Sequence, residues 1–337
     1  MLAVRLFMNH GFLSALCLLC LCGSGVAQEV QARAEQLLQH ARQLSDIRSP
    51  NAPPFRLKAT FSFTGDDLDT VQGTYTETWF SDSQWRRETV IRDQLYIEVR
   101  GGDRHWLLFP EGFPVQANKL PTLMTVLPPA SLDLKFQSVN ERTSANVTAE
   151  CAFTRPVLVD FGLAFCFEKK SGVLLEKVFP EKRPRNLASW SCEYGKFQKF
   201  GDYAFPREVS CFEDRHKAIS ASVTDISIAP PMDPALFGPP AEAIELGQCS
   251  GKTVLPAASG GGFMSPALDL ENVAWLKVWL VVDAKGKPQN LRVLRPADKH
   301  TYEKAWNMVR DWHFRPGTCD GKPISMPLAL QIPFTPR

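Results

Sequence analysis

The chain has 337 residues, of which 44% are hydrophobic, 22% charged and 10% aromatic, a globular composition that excludes long disorder and fibrous repeats. Lys plus Arg number 38 against 36 for Asp plus Glu. That net charge of +2 leaves no long-range field for an avid binder of nucleic-acid phosphates. No catalytic constellation stands out, since neither His-Glu-x-x-His nor Gly-x-Ser-x-Gly occurs.

Residues 1–27 read as a secretory leader. Arg5 gives a basic start, residues 11–22 a short apolar run, and Gly23-Ser24-Gly25-Val26-Ala27 a small-residue exit. The run falls well short of the roughly 20 residues that span a bilayer. Cys17, Cys20 and Cys22 each follow Leu rather than a small residue, which disfavours lipidation. The expectation is cleavage near Ala27 and export to an oxidising, nucleotide-free compartment.

Three of the nine cysteines lie in the leader, leaving Cys151, Cys166, Cys192, Cys211, Cys249 and Cys319. An even number in an exported chain reads as disulfides, with fifteen possible connectivities that sequence alone does not resolve. Local geometry favours one of them. Cys192 and Cys211 flank the turn dipeptide Gly201-Asp202, and Cys151 and Cys166 are close enough to staple adjacent strands. Cys249 with Cys319 would then close a loop of about 70 residues, worth about 4 kcal/mol in loop entropy. A zinc site is disfavoured because there is no Cys-x-x-Cys and the histidines are scattered.

Residues 29–47 show helical periodicity through Val30, Leu37, Leu38, Ala41, Leu44 and Ile47, and the proline-rich stretch 49–54 ends it. Strands follow at 55–64, 70–80, 84–92, 94–100 and 104–109. A short helix is expected near 118–127, then further strands from 132 to 228. Such a run predicts a strongly curved antiparallel sheet with a helix across its open face. Residues 239–268, rich in Pro and Gly, read as a linker. The tail reads as strand 273–283, strand 289–295, helix 301–312 and strand 324–334. The fold class is therefore α+β: leader 1–27, curved half-barrel domain 28–238, linker 239–268 and a small β-β-α-β domain 269–337.

Two resemblances follow from particular residues. The stretch Val282-Asp283-Ala284-Lys285-Gly286-Lys287-Pro288, the helix exit Trp312-His313-Phe314-Arg315-Pro316 and the close at Asp320-Gly321-Lys322 and Pro333-Phe334 resemble the TonB C-terminal domain. The family's Tyr-Pro-x-x-Ala helix before the first strand is replaced here by Phe263-Met264-Ser265-Pro266-Ala267-Leu268. The energy transducer's membrane helix and long Pro-rich spacer are missing as well. The resemblance implies a periplasmic module that grips another polypeptide, with its final strand pairing at a sheet edge. Lys277, Arg292, Arg295 and Arg315 would frame that surface. The N-terminal half resembles LolA/LolB lipoprotein carriers through the helix at 29–47, the strand Arg56–Phe61 and the stretch Val223–Pro231 before Leu236-Phe237. That family's concave face holds acyl chains. Here Phe61, Phe63, Trp79, Trp85, Trp106, Phe136, Phe153, Phe161, Phe165 and Phe167 would line it, unless they are simply core.

Other motifs are weak. Gly247-x-x-x-Gly251-Lys252-Thr253 is one residue too short for a phosphate loop and follows a linker rather than a strand. Asp103-Arg104-His105 and Asp214-Arg215-His216 read as surface ion pairs. The sequence thus predicts a non-enzymatic exported protein without cofactor or nucleotide. It would act through a protein partner of the tail or, alternatively, by carrying a lipid or acylated ligand in the N-terminal domain.

Overall fold

The computed structural model describes residues 12–64, 70–110, 113, 117, 119–128, 132–144, 147–154, 162–182, 187–249, 251–259, 274–293 and 299–334. Helix α1 (Phe12–Ser45) runs unbroken through Ala27, so the second half of the stretch read as a leader and the amphipathic stretch form one helix. No helix among the described residues is long and apolar enough to cross a membrane.

Five strands follow: β1 (Phe55–Thr64), β2 (Thr70–Ser81), β3 (Gln84–Ile91), β4 (Gln94–Gly101) and β5 (Arg104–Leu108). After the short helix α2 (Leu120–Met124) come β6 (Phe136–Ser144), β7 (Val147–Thr154), β8 (Ala164–Glu168) and β9 (Leu174–Lys182). The long strands β10 (Leu187–Phe200), β11 (Tyr203–Glu213) and β12 (His216–Ile228) complete the run. With β13 (Ile244–Leu246), the hydrogen-bonded order is β13-β5-β4-β3-β2-β1-β12-β11-β10-β9-β8-β7-β6. The sequence places the first strand correctly to the residue because its alternation is strict. Phe55, Leu57, Ala59, Phe61 and Phe63 are buried on one face, with polar residues between them.

The tail adds the short strands β14 (Thr253–Val254) and β15 (Ala257–Ala258), then β16 (Ala274–Val282), β17 (Pro288–Val293) and α3 (Lys299–Val309). It closes with β18 (Phe314–Arg315), β19 (Gly317–Cys319), β20 (Lys322–Ile324) and β21 (Met326–Phe334). The predicted β-β-α-β order appears as β16, β17, α3 and β21, with the sheet ordered β17-β16-β21. Leu276, Val278, Leu280 and Val282 of β16 pack with Leu291, Val293, Ala305, Val309 and Ile332. On the other face of β16 the Trp279 ring stacks on Phe109 at 4.7 Å.

Contacts divide the chain into two compact units. The first holds residues 1–46, 125–206 and 210–217, and the second holds 47–124, 207–209 and 218–337. The tail therefore belongs with β1–β5 rather than standing behind a linker. Two features account for this: β13, inside the stretch read as linker, pairs with β5, and Trp279 seats on Phe109.

Candidate ligand-binding face

In the first unit, strand register decides which side chains share a face, because directly opposed residues point the same way. Ala152 of β7 opposes Phe165 of β8, Phe165 opposes Lys177 of β9, and Lys177 opposes Cys192 of β10. Phe136 opposes Thr154, and Phe179 opposes Trp190 with their rings stacked at 6.3 Å. The result is one aromatic face carrying Phe136, Phe165, Phe179, Trp190 and Tyr194. The opposite face holds the smaller cluster of Ala149, Cys151, Cys166 and Phe153. Of the predicted cavity residues, Phe136 and Phe165 lie on the aromatic face, Phe153 lies behind it, and Phe161 lies outside the described residues.

Helix α1 lies on the aromatic face and is tied there by few polar contacts. Gln31 donates to the Leu134 carbonyl and accepts from the Phe136 N–H, both at 2.9 Å. Arg33 grips Glu150, which shares the face with Ala152 two residues on, and the Arg33 side chain is 43% exposed. Toward its C-terminal end, His40 and Leu44 lie against Gly172 in the β8–β9 turn. A Cβ at Gly172 would fall 2.3 Å from the imidazole, and its φ of 81° also favours glycine. Ala34, Leu37, Leu38 and Ala41 are buried, as the helical periodicity requires.

Lys177 and Tyr194 place further polar atoms in this largely apolar face. Lys177, 8% exposed, donates from Nζ to the Thr125 carbonyl at 3.2 Å. The Phe179 and Tyr194 ring centroids stand 5.7 and 5.9 Å from the same nitrogen. Burial alone pushes the ammonium down to about 8. The Tyr194 hydroxyl is buried without a hydrogen-bond partner among the described residues, and burial raises its pKa. The sequence reading missed both residues. Leu174-Leu-Glu-Lys-Val-Phe179 does not alternate cleanly, so nothing local marks Lys177 as inward-facing.

The corresponding face of the second unit is different. Leu57, Glu77, Arg87 and Glu98 oppose one another across β1 to β4. Glu77 accepts from Arg48, from Arg87 Nε at 3.1 Å and from the Tyr75 hydroxyl at 3.0 Å. Arg87 also reaches Glu98 at 3.8 Å, and His105 meets Glu98 at 3.0 Å. Burial raises the Glu77 carboxyl, but Arg48 and Arg87 outweigh it and hold the group at about 2. A charged ladder thus crosses the face on which Phe61, Phe63 and Trp79 sit. Phe61 and Phe63 stack at 6.2 Å, and Trp79 stacks on Phe55 at 5.7 Å. Trp106 does not join them. It opposes Val99, on the other face, and packs with Ile97 and Phe237. Trp85 faces inward with Arg87 over its ring at 4.3 Å.

The tail residues expected to frame a protein-binding surface lie, where described, on β16, β17 and β18. Arg292 Nε donates to the Phe109 carbonyl at 2.9 Å, so this guanidinium serves packing within its unit. Arg315 is exposed on β18, opposite Ala257. Lys277 sits in β16 opposite Gln331, and Arg295 lies outside the described residues. The disulfides join Cys151 to Cys166, Cys192 to Cys211 and Cys249 to Cys319. This is the arrangement that local spacing favours. In the would-be phosphate loop, the Lys252 N–H donates to the Asp320 carboxylate at 2.7 Å, so an acid occupies the place an anion would take. The pairs Asp103-Arg104-His105 resolve into Arg104 on Glu245 and His105 on Glu98.

No family model and no curated protein matches the chain. The resemblance of the tail to the TonB C-terminal domain therefore rests on its sequence motifs. Solved structures to which the chain shows similarity include a LolA superfamily protein from Nitrosomonas europaea, at 11% identity and a TM-score of 0.43. It covers 61% of this chain and 97% of that one. A DUF1329 family protein from Desulfovibrio piger shares 10% identity at a TM-score of 0.41, over 64% of this chain and 96% of its own.

Proposed function

We propose that the protein is an exported, non-enzymatic binding protein that holds an apolar chain between α1 and the aromatic face of β7–β10. The observation that supports this reading is the aromatic face roofed by a helix whose polar ties among the described residues are few: Gln31, the largely solvent-screened Arg33–Glu150 pair and a 3.4 Å contact from Arg42 to the Pro128 carbonyl. A helix held in this way can lift without breaking sheet hydrogen bonds, and lifting it exposes aromatic surface that an acyl chain would cover. Leader, disulfides and the absence of a catalytic motif agree with a periplasmic carrier. The charged ladder of the second unit is poorly suited to hydrocarbon, so the binding role falls to the first unit.

The test uses the neutral fluorescent probe N-phenyl-1-naphthylamine. The full chain is expected to bind it saturably with enhanced, blue-shifted emission. Emission that stays at the level of free probe would refute the reading. A second role for the tail is favoured by one observation: among the described strands β21 pairs with β16 alone, leaving one backbone edge open to a partner strand.

A further inference from the structure

Lys177 is what a purely apolar ligand leaves unaccounted for. An ammonium has three N–H donors, and among the described residues only the Thr125 carbonyl accepts from this one. No acidic side chain pairs with it there. The carboxylates adjacent in sequence, Glu176 and Glu193, oppose each other on the reverse face, where Arg142 stands 3.7 Å from Glu176. The groups around Nζ are the Phe179 and Tyr194 rings, with Phe165 and the disulfide-bonded Cys192 directly across the neighbouring strands. On the same face the Glu150 carboxylate is taken up by Arg33, and Arg42 of α1 donates to the Pro128 carbonyl. An isolated buried cation is costly, and an anion supplied from outside removes the cost.

We propose that Lys177 is the counter-ion for the head of a long-chain carboxylate, a fatty acid whose tail lies along the aromatic face. The assignment rests on the apolar-ligand reading above and adds the chemistry of the head group. One ammonium balances one carboxylate. The buried Tyr194 hydroxyl supplies a further donor on the same face, two residues along β10 from Cys192. A dianionic phosphate would leave a charge unmatched.

The experiment measures displacement of N-phenyl-1-naphthylamine from the full chain by laurate, by 1-dodecanol and by dodecyl phosphate. It is run on the wild type and on Lys177→Met, at pH 7 and at pH 9.5. The wild type is expected to bind laurate at least about tenfold more tightly than dodecanol at pH 7. That preference shrinks at pH 9.5, where the lysine loses its proton and laurate keeps its charge. In Lys177→Met the preference for laurate over dodecanol is gone. A variant that retains the preference would overturn the proposal, as would a wild type that shows none or that prefers dodecyl phosphate. The pH comparison on the unaltered protein decides the matter if Lys177→Met does not fold. Failure of the probe to bind either protein would instead sink the apolar-ligand reading, and this assignment with it.

Discussion

Two buried charges, treated oppositely by their surroundings, set the behaviour expected of single residues. Glu77 is surrounded by donors from Arg48, Arg87 and Tyr75, and its carboxyl is held at about 2 against an ordinary 4.5. Its contribution is complete above pH 4.5 and is lost as pH falls through 2, worth about 3 kcal/mol over that window. Glu77→Gln removes the carboxylate that Arg48 and Arg87 share and is expected to cost about 3–5 kcal/mol in urea unfolding. A loss below 1 kcal/mol would show the ladder to be ornamental. Lys177 behaves in the opposite sense. Its folded pKa of about 8 lies below the ordinary 10.5, so the unfolded chain binds more protons between those values. Stability of the ligand-free protein should rise with pH across that window. Lys177→Met should stabilise it at pH 7 by about 1–2 kcal/mol, allowing for the carbonyl left unpaired. A Lys177→Met protein less stable than the wild type would mean that the lysine is a structural strut.

At the scale of elements, the three disulfides have different work. Cys151–Cys166 and Cys192–Cys211 bridge neighbouring strands with separations of 15 and 19 residues. Cys249–Cys319, with a separation of 70, fastens the segment after β13 to β19 within the second unit. Replacing Cys249 and Cys319 with Ser should lower stability by about 4 kcal/mol in the loop-entropy account, with probe binding unchanged at temperatures where the chain stays folded. Loss of probe binding in the folded variant would place the ligand in the second unit instead. Helix α1 owes its position to a narrower set of contacts, and Gly172 gives it clearance at the β8–β9 turn. Gly172→Ala should displace His40 and Leu44, since both the close approach and the positive φ oppose a side chain there.

For the whole molecule, elements that announce themselves locally were legible in the sequence. The alternation of Phe55–Thr64 gave β1 its ends, and the turn at Gly201-Asp202 between Cys192 and Cys211 gave a hairpin and its disulfide. What depends on register between strands was not legible. Trp106 was grouped with Phe61 because both are aromatic, yet counting across Arg87, Glu98 and Val99 puts it on the other face. Arg292 looked like a surface cation because nothing in the tail foretells Phe109 as its acceptor. Lys177 and Glu77 were missed for the same reason: a polar residue in a strand reads as outward-facing until its partners across the sheet are known. The units also cut across the expected linker, because short strands such as Ile244–Leu246 gain stability only from the edge they join.

The central claim is that a ligand's hydrocarbon lies between α1 and the aromatic face of β7–β10. Hydrogen–deuterium exchange of the full chain, with and without laurate, tests this most directly. Slowed exchange concentrated in residues 28–45 and 174–200 is the predicted result. Protection confined to residues 274–334, or none at saturating laurate, would contradict it.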